Sequence, residues 1–191
     1  MTNLFEKAQK LRNNGKIDEA IELYKKVGDT ESLHMIGVAY YQIKKFKEAN
    51  KYLQKSLNEF RQEGNEEFQG FVLRDLGAVA RAEKNLTEAE RFLKESIDLL
   101  QKTGNKGHEG MSRVKLGRVF ADQEKFDEAF DEINRGIELL NESTDQFFLS
   151  TAYLDRAKVD IQKSFFILNS ISSQEEFTER RKEIKRILEN L

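Results

Sequence analysis

Cysteine, proline and tryptophan are all absent from the 191 residues, and histidine occurs only at His34 and His108. Without cysteine there is no disulfide, no thiolate metal site and no thiol nucleophile. Without proline no helix is broken by a ring that lacks an N–H. The abundant Leu, Glu, Lys, Gln and Ala favour helix along nearly the whole chain. A dominant charge sign is missing too: 32 basic side chains meet 34 acidic ones, a formal net charge of −2. A general nucleic-acid binder needs a basic excess to displace counterions, so no nucleic-acid partner is expected. No apolar run reaches membrane-spanning length, and MTNLFEKAQKLRNNGK at the start lacks the apolar core of a signal peptide. The expectation is a cytoplasmic protein with no membrane partner.

Chemistry-bearing constellations are equally scarce. The two histidines are far apart, so no i,i+4 metal pair exists, and His108 in Gly107-His108-Glu109 reads as a solvated linker residue. Glycines are scattered singly rather than grouped in a phosphate loop. Paired acids such as Glu66-Glu67 fall at helix starts, where the macrodipole favours them. No enzyme activity, metal or cofactor is expected.

What the chain does hold is repetition. Residues 64–100 superpose on 104–140 with a constant offset of 40 and no gap. Gly64-Asn65 falls on Gly104-Asn105, Leu76-Gly77 on Leu116-Gly117, and Glu88-Ala89 on Glu128-Ala129. Upstream, Ile36-Gly37, Tyr40 and Glu48-Ala49 keep the spacing; Ala8, Leu11, Glu19-Ala20 and Tyr24 keep it again after a shorter step of 29. Downstream, Ala157 takes the Gly77 place, but Asn169 stands where alanine is expected. Each copy reads as two amphipathic helices joined by a turn such as Lys84-Asn85. Small residues at the Gly77 and Ala89 positions let two helices approach closely, while Tyr24, Tyr40, Phe92 and Phe120 fill space between pairs. Neither helix buries its stripe alone, so the pairs must stack.

The expected fold is all-α: a right-handed superhelical solenoid of antiparallel pairs over 1–168, with repeats at about 1–28, 30–64, 65–104, 105–143 and a degenerate 144–168. The second helix of the first repeat is expected to be short, because Gly28-Asp29-Thr30 turns the chain early. Over 172–191, Ser172 and Ser173 with Glu175 and Glu176 form capping boxes. Phe177, Ile184, Ile187, Leu188 and Leu191 then share one face of a capping helix, whose mixed charges suit a membrane poorly.

These residues resemble the tetratricopeptide repeat family: Ile36-Gly37, Tyr40, Ala49 and Leu53, then Leu76-Gly77, Ala89 and Leu93, then Leu116-Gly117, Phe120, Ala129 and Ile133. The family's tryptophan and closing proline are missing, and Lys7-Ala8 stands in the Leu-Gly place of the first repeat. The 40-residue period with Gly-Asn linkers is similar to the longer-helix variant of Leu-Gly-Asn cell-polarity adaptors, kinesin light chains and bacterial peptide-pheromone receptors. The resemblance implies a protein–protein interaction scaffold whose first helices line a concave groove. Carried over by position, that groove takes Phe5, Gln9, Arg12 and Asn13, then Glu31, His34, Val38, Tyr41 and Gln42. It continues through Phe71, Arg74, Ala78 and Arg81, then Met111, Val114, Arg118, Ala121 and Asp122, with Leu154 and Lys158 from the degenerate copy.

Arg12, Arg74, Arg81, Arg118 and Lys158 give this face a basic bias, and Phe5, Tyr41, Phe71 and Met111 offer apolar anchors. The expected partner is an acidic, partly apolar peptide or protein segment, with the guanidinium forks receiving carboxylates. Equally weighted is the alternative that the arginines pair with acids such as Asp75, Glu83 and Asp122. A chaperone-type carboxylate clamp is not expected: its places hold Phe5, Gln9, Met35, Phe71 and Asp75 or, one repeat on, His34, Val38, Asp75, Met111 and Lys115. A monomer is the expectation. The alternatives are self-assembly through an uncapped first repeat, where Leu4, Ala8 and Leu11 would meet a second copy, and a peptide-sensing regulatory module.

Overall fold

A computed structural model describes residues 4–143, 146–170 and 178–189. Ten α-helices follow one another in it, and no strand occurs among the described residues: α1 (Leu4–Asn13), α2 (Ile17–Val27), α3 (Thr30–Gln42), α4 (Phe46–Gln62), α5 (Glu66–Ala82), α6 (Leu86–Thr103), α7 (Lys106–Asp122), α8 (Phe126–Ser143), α9 (Gln146–Ser170) and α10 (Thr178–Glu189). The helices group into two compact units, Met1–Asn105 with α1 to α6 and Lys106–Leu191 with α7 to α10. The capping boxes at Ser172 and Ser173 with Glu175 and Glu176, and the apolar positions Phe177 and Leu191, lie outside the described residues. So do the side chains of Asn169, Ile184 and Leu188.

Each helix ends for a local reason. Between pairs the chain turns at Gly28, Gly64 and Gly104, all left-handed with φ of 76°, 68° and 74°, a conformation open to glycine without a Cβ penalty. Within pairs the turn recurs at Gly15, Lys44, Lys84 and Glu124, so three non-glycine residues also take positive φ. There the N–H groups of Lys45, Asn85 and Lys125 donate to the carbonyls of Tyr40, Ala80 and Phe120 at 2.9–3.0 Å, closing Schellman-type ends. Asp29, Asn65 and Asn85 cap the helices that follow by accepting from the N–H groups of Ser32, Phe68 and Glu88.

The helix pairs are held by close approach at small residues. Gly37, Gly77 and Gly117 are buried, and a Cβ at each would lie 2.6, 2.6 and 2.5 Å from Leu53, Leu93 and Ile133 of the paired helix. No alanine fits there unless the pair moves apart. Ala49, Ala89 and Ala129 answer from the second helices, all fully buried. Ser56 and Ser96 donate their hydroxyls to the carbonyls of Thr30 and Gly70 at 3.1 and 2.7 Å. In the fourth pair that serine is Gly136, whose absent Cβ would meet the Gly110 carbonyl at 2.7 Å, so α7 and α8 touch backbone to backbone.

In the first unit the core gathers Ala8, Ala20, Ile21, Tyr24, Ile36 and Ala39. The core of the second joins Val114, Ala129, Ile133 and Leu140 to Ala152 and Val159 of α9. The helix α10 packs on α9, with Ile187 remaining 43% exposed.

Candidate partner-binding face

Along α1, α3 and α5 one side of each helix carries half-buried side chains at the edge of the packing. On α1, Phe5 meets the Tyr24 ring edge-on with centroids 5.4 Å apart, and Gln9 and Arg12 are half-buried. On α3, Val38 and Tyr41 are half-buried, and Tyr41 leans on Phe46 at 5.9 Å. On α5, Phe71, Ala78 and Arg81 are half-buried, Phe71 packs on Phe68 at 5.2 Å, and the Arg74 guanidinium stands 5.9 Å above the Phe71 ring. Helix α3 packs directly beside α5.

Several positions assigned to the groove lie elsewhere. His34 is 3% exposed, and its Nε2 sits 2.9 Å from Asp75 Oδ2, so the imidazole bridges α3 to α5 beneath the surface. A histidine sealed in this way is a poor catalytic base, since no substrate reaches it. Met111, Val114 and Ala121 are buried in the second unit's core, at 7%, 0% and 0% exposed. The cause is twofold: α9 packs against α7, and Gly136 leaves room for Val114 where a Cβ would come within 2.8 Å of it. Ala8, expected at an open first repeat, is fully buried as well. Leu4 stays 47% exposed, beside a groove of about 440 Å³ between α1 and α2 lined by Lys7, Leu11, Asp18, Glu19, Glu22 and Leu23.

Much of the basic character is neutralised in place. Arg74 donates to both Asp75 oxygens at 3.2 and 3.4 Å, and Arg118 donates to Asp155 at 2.8 Å, with Lys158 at 4.0 Å from the same carboxylate. Asp155 was not foreseen as a partner. The available signal was register, since it repeats the Asp75 place two copies later, and each acid receives a base from the preceding first helix. A second network links Arg113 to Glu109 at 2.9 Å and Glu132 at 3.0 Å. Burial opposes the charge on Arg113, but these carboxylates prevail and raise its pKa above the usual guanidinium value.

Several buried polar atoms of the first unit make no hydrogen bond. The Nε of Arg12, the Tyr24 hydroxyl and Nδ1 of His34 are buried without a hydrogen-bond partner among the described residues. Burial raises the Tyr24 pKa, with Arg12 opposing and Glu31 adding to the shift. Glu31 titrates above the ordinary carboxylate value because of burial first and Asp29 second, with His34 pulling the other way. Among the described residues no cluster of three metal-ligating side chains is found, and no helix is long and apolar enough to cross a membrane.

Profiles of the tetratricopeptide repeat match residues 30–62 and 69–142, together more than half of the chain. The chain belongs to the tetratricopeptide repeat family. No curated protein sequence matches it. Solved tetratricopeptide-type structures share the fold at low identity. Aspartyl phosphate phosphatase F from Bacillus subtilis aligns at 15% identity and a TM-score of 0.68, over 87% of this chain and 49% of its own. A Rap protein complexed with competence and sporulation factor gives 16% and 0.67, over 98% and 62%. Nearly identical TPR-like repeats of a Podosopora anserina kinesin-light-chain-like protein give 18% and 0.60, over 95% and 93%. The chain thus spans about half of the phosphatase and under two thirds of the Rap protein. These likenesses establish the tetratricopeptide helical solenoid as the fold.

Proposed function

We propose that this protein is a non-enzymatic scaffold that holds a peptide or a segment of a partner protein against the free side of its first helices. The observation carrying the reading is the stripe of side chains on α1, α3 and α5, in register from pair to pair and only half covered by the packing. Phe5, Val38, Tyr41 and Phe71 supply rigid apolar area, the kind that dominates interface energies. Gln9 and Arg12, both half-buried, supply donors, and the guanidinium of Arg12 suits a carboxylate or a backbone carbonyl. The Rap protein aligned above is complexed with a factor, which lends the reading support by analogy.

The ligand chemistry follows from what remains charged. Arg74 and Arg118 already hold Asp75 and Asp155, so Arg12 carries the acidic preference in the first unit. A displayed random-peptide library panned against the full chain tests this. Enrichment of sequences pairing an acid with an aromatic or aliphatic residue is expected, with binding weakened at least tenfold by Arg12→Glu or Phe71→Ala. No enrichment, or enrichment indifferent to both substitutions, overturns the proposal.

A further inference from the structure

Helix α9 occupies the first-helix position of a fifth pair, but among the described residues no second helix lies on the face where α3, α5 and α7 carry theirs. Counting 40 residues forward from α7, Gly110 becomes Ser150, Arg113 becomes Tyr153, Gly117 becomes Ala157 and Phe120 becomes Asp160. In α7 this stripe lies under α8; in α9 all four residues are exposed, Tyr153 at 52%, with α10 in place. Leu154 beside them is 51% exposed. The opposite side of α9 is docked in the ordinary way, with Ala152 and Val159 fully buried and Asp155 receiving Arg118. The turn that would start a paired helix is missing, because Ser164, where Glu124 takes φ 64°, lies within the helix. A surface built by the repeat to receive an antiparallel helix is therefore left open.

We propose that a second copy of this chain covers it, α9 against α9 antiparallel across a two-fold axis at Ala157. The stripe is self-complementary about that residue, as an isologous interface requires. Ala157 meets its own mate, and its side chain is the smallest of the stripe. Ser150 and Ser164 lie seven residues to either side and meet each other's mates. On one flank the Tyr153 hydroxyl of one copy reaches the Asp160 carboxylate of the other; on the opposite flank Leu154 meets Ile161. The helical period of 3.6 puts the members of each pair on matching flanks and within one residue, about 1.5 Å, of the same height. Each copy then acts as the other's missing second helix, and the dimer presents two partner-binding faces, which raises avidity for a multivalent partner.

Because the natural chain has no cysteine, engineered thiols report the seam directly. Sedimentation equilibrium of the wild-type chain should show a concentration-dependent dimer of the 22.3 kDa monomer, and Ala157→Arg should leave only monomer with helical circular dichroism intact. Under mild oxidation Ala157→Cys should cross-link into dimers, whereas Ser150→Cys alone should not, its mate lying some 20 Å away at a rise of about 1.5 Å per residue. Ser150→Cys with Ser164→Cys should cross-link again. A wild-type chain that is monomeric at every concentration overturns the proposal. So does a dimer untouched by Ala157→Arg, or equal cross-linking of the two single cysteine variants.

Discussion

Helices α7 and α9 begin from the same template and end in different environments. Both are first helices in one register, both carry fully buried small or branched residues at matching places (Ser112 and Val119 in one, Ala152 and Val159 in the other), and both carry a small residue at the pairing position, Gly117 or Ala157. Yet α7 stops after 17 residues at a left-handed Glu124 and is covered by α8, whereas α9 runs on for 25 with its pairing face exposed. A small residue only permits a helix to dock. What brings the helix is the turn and the stripe that follows it: Lys125-Phe126 leads into Ala129, Ile133 and Leu140, while Phe165-Phe166 leads on to Asn169.

Paired substitutions at equivalent positions of the two helices break or sharpen this contrast, provided the α9 variants are measured dilute enough to be monomeric. The largest difference is expected at Arg113 against Tyr153. Arg113→Met strands the carboxylates of Glu109 and Glu132 in a half-buried site and should destabilise the chain by about 3 kcal/mol in urea unfolding near neutral pH. That loss should shrink as the carboxylates protonate at lower pH. Tyr153→Ala should stay within about 0.5 kcal/mol.

Next comes Gly117→Ala, which sets a Cβ 2.7 Å from the Ala129 carbonyl and 2.5 Å from Ile133; the backbone carbonyl cannot swing aside, so roughly 2 kcal/mol should be lost. Ala157→Leu, its counterpart on an open face, should be close to neutral in the same measurement. A third pair should differ in sign. Glu124→Gly relieves a left-handed non-glycine residue and should stabilise by about 1 kcal/mol, whereas Ser164→Gly puts glycine inside a helix and should lower the melting temperature. Equal signs would mean that the two positions are not equivalent.

The smallest effect concerns the partner-facing side, at Glu31. Its pKa is raised in the folded chain, so the folded state binds that proton more tightly than the unfolded state does. Its contribution is therefore most favourable below the carboxylate range and turns unfavourable as pH rises through it. Glu31→Gln should raise stability slightly at about pH 7 and leave it unchanged at about pH 3 in urea titrations.

The same contrast shows how far the residues could be read in advance. Periodicity located the helix pairs, because apolar residues at 3.6 spacing and in-phase Gly and Ala are properties of the local chain. Turns at Gly28, Gly64 and Gly104 were equally legible, since their left-handed backbone favours one residue type. The turn at Lys84-Asn85 was legible too, but not that Lys44, Lys84 and Glu124 take left-handed backbone, which is stabilised by Schellman bonds rather than by side-chain chemistry. The partner-facing residues were harder still. Positional carry-over placed Phe5, Arg12, Tyr41 and Phe71 on a half-exposed face, but it could not foresee that α9 would bury Met111 and Val114, or that Asp75 would draw His34 under the surface.

By itself the sequence determined that this chain forms paired helices and where each small residue would let two of them touch, because helix periodicity and steric size act over a few neighbouring positions. Only the tertiary structure decided which arginines are held by a neighbouring acid, which groove positions vanish into a core, and that the fifth first helix is left with one bare side. Those outcomes depend on which helix packs over which residue, and that is set by contacts between segments 40 residues apart in the chain.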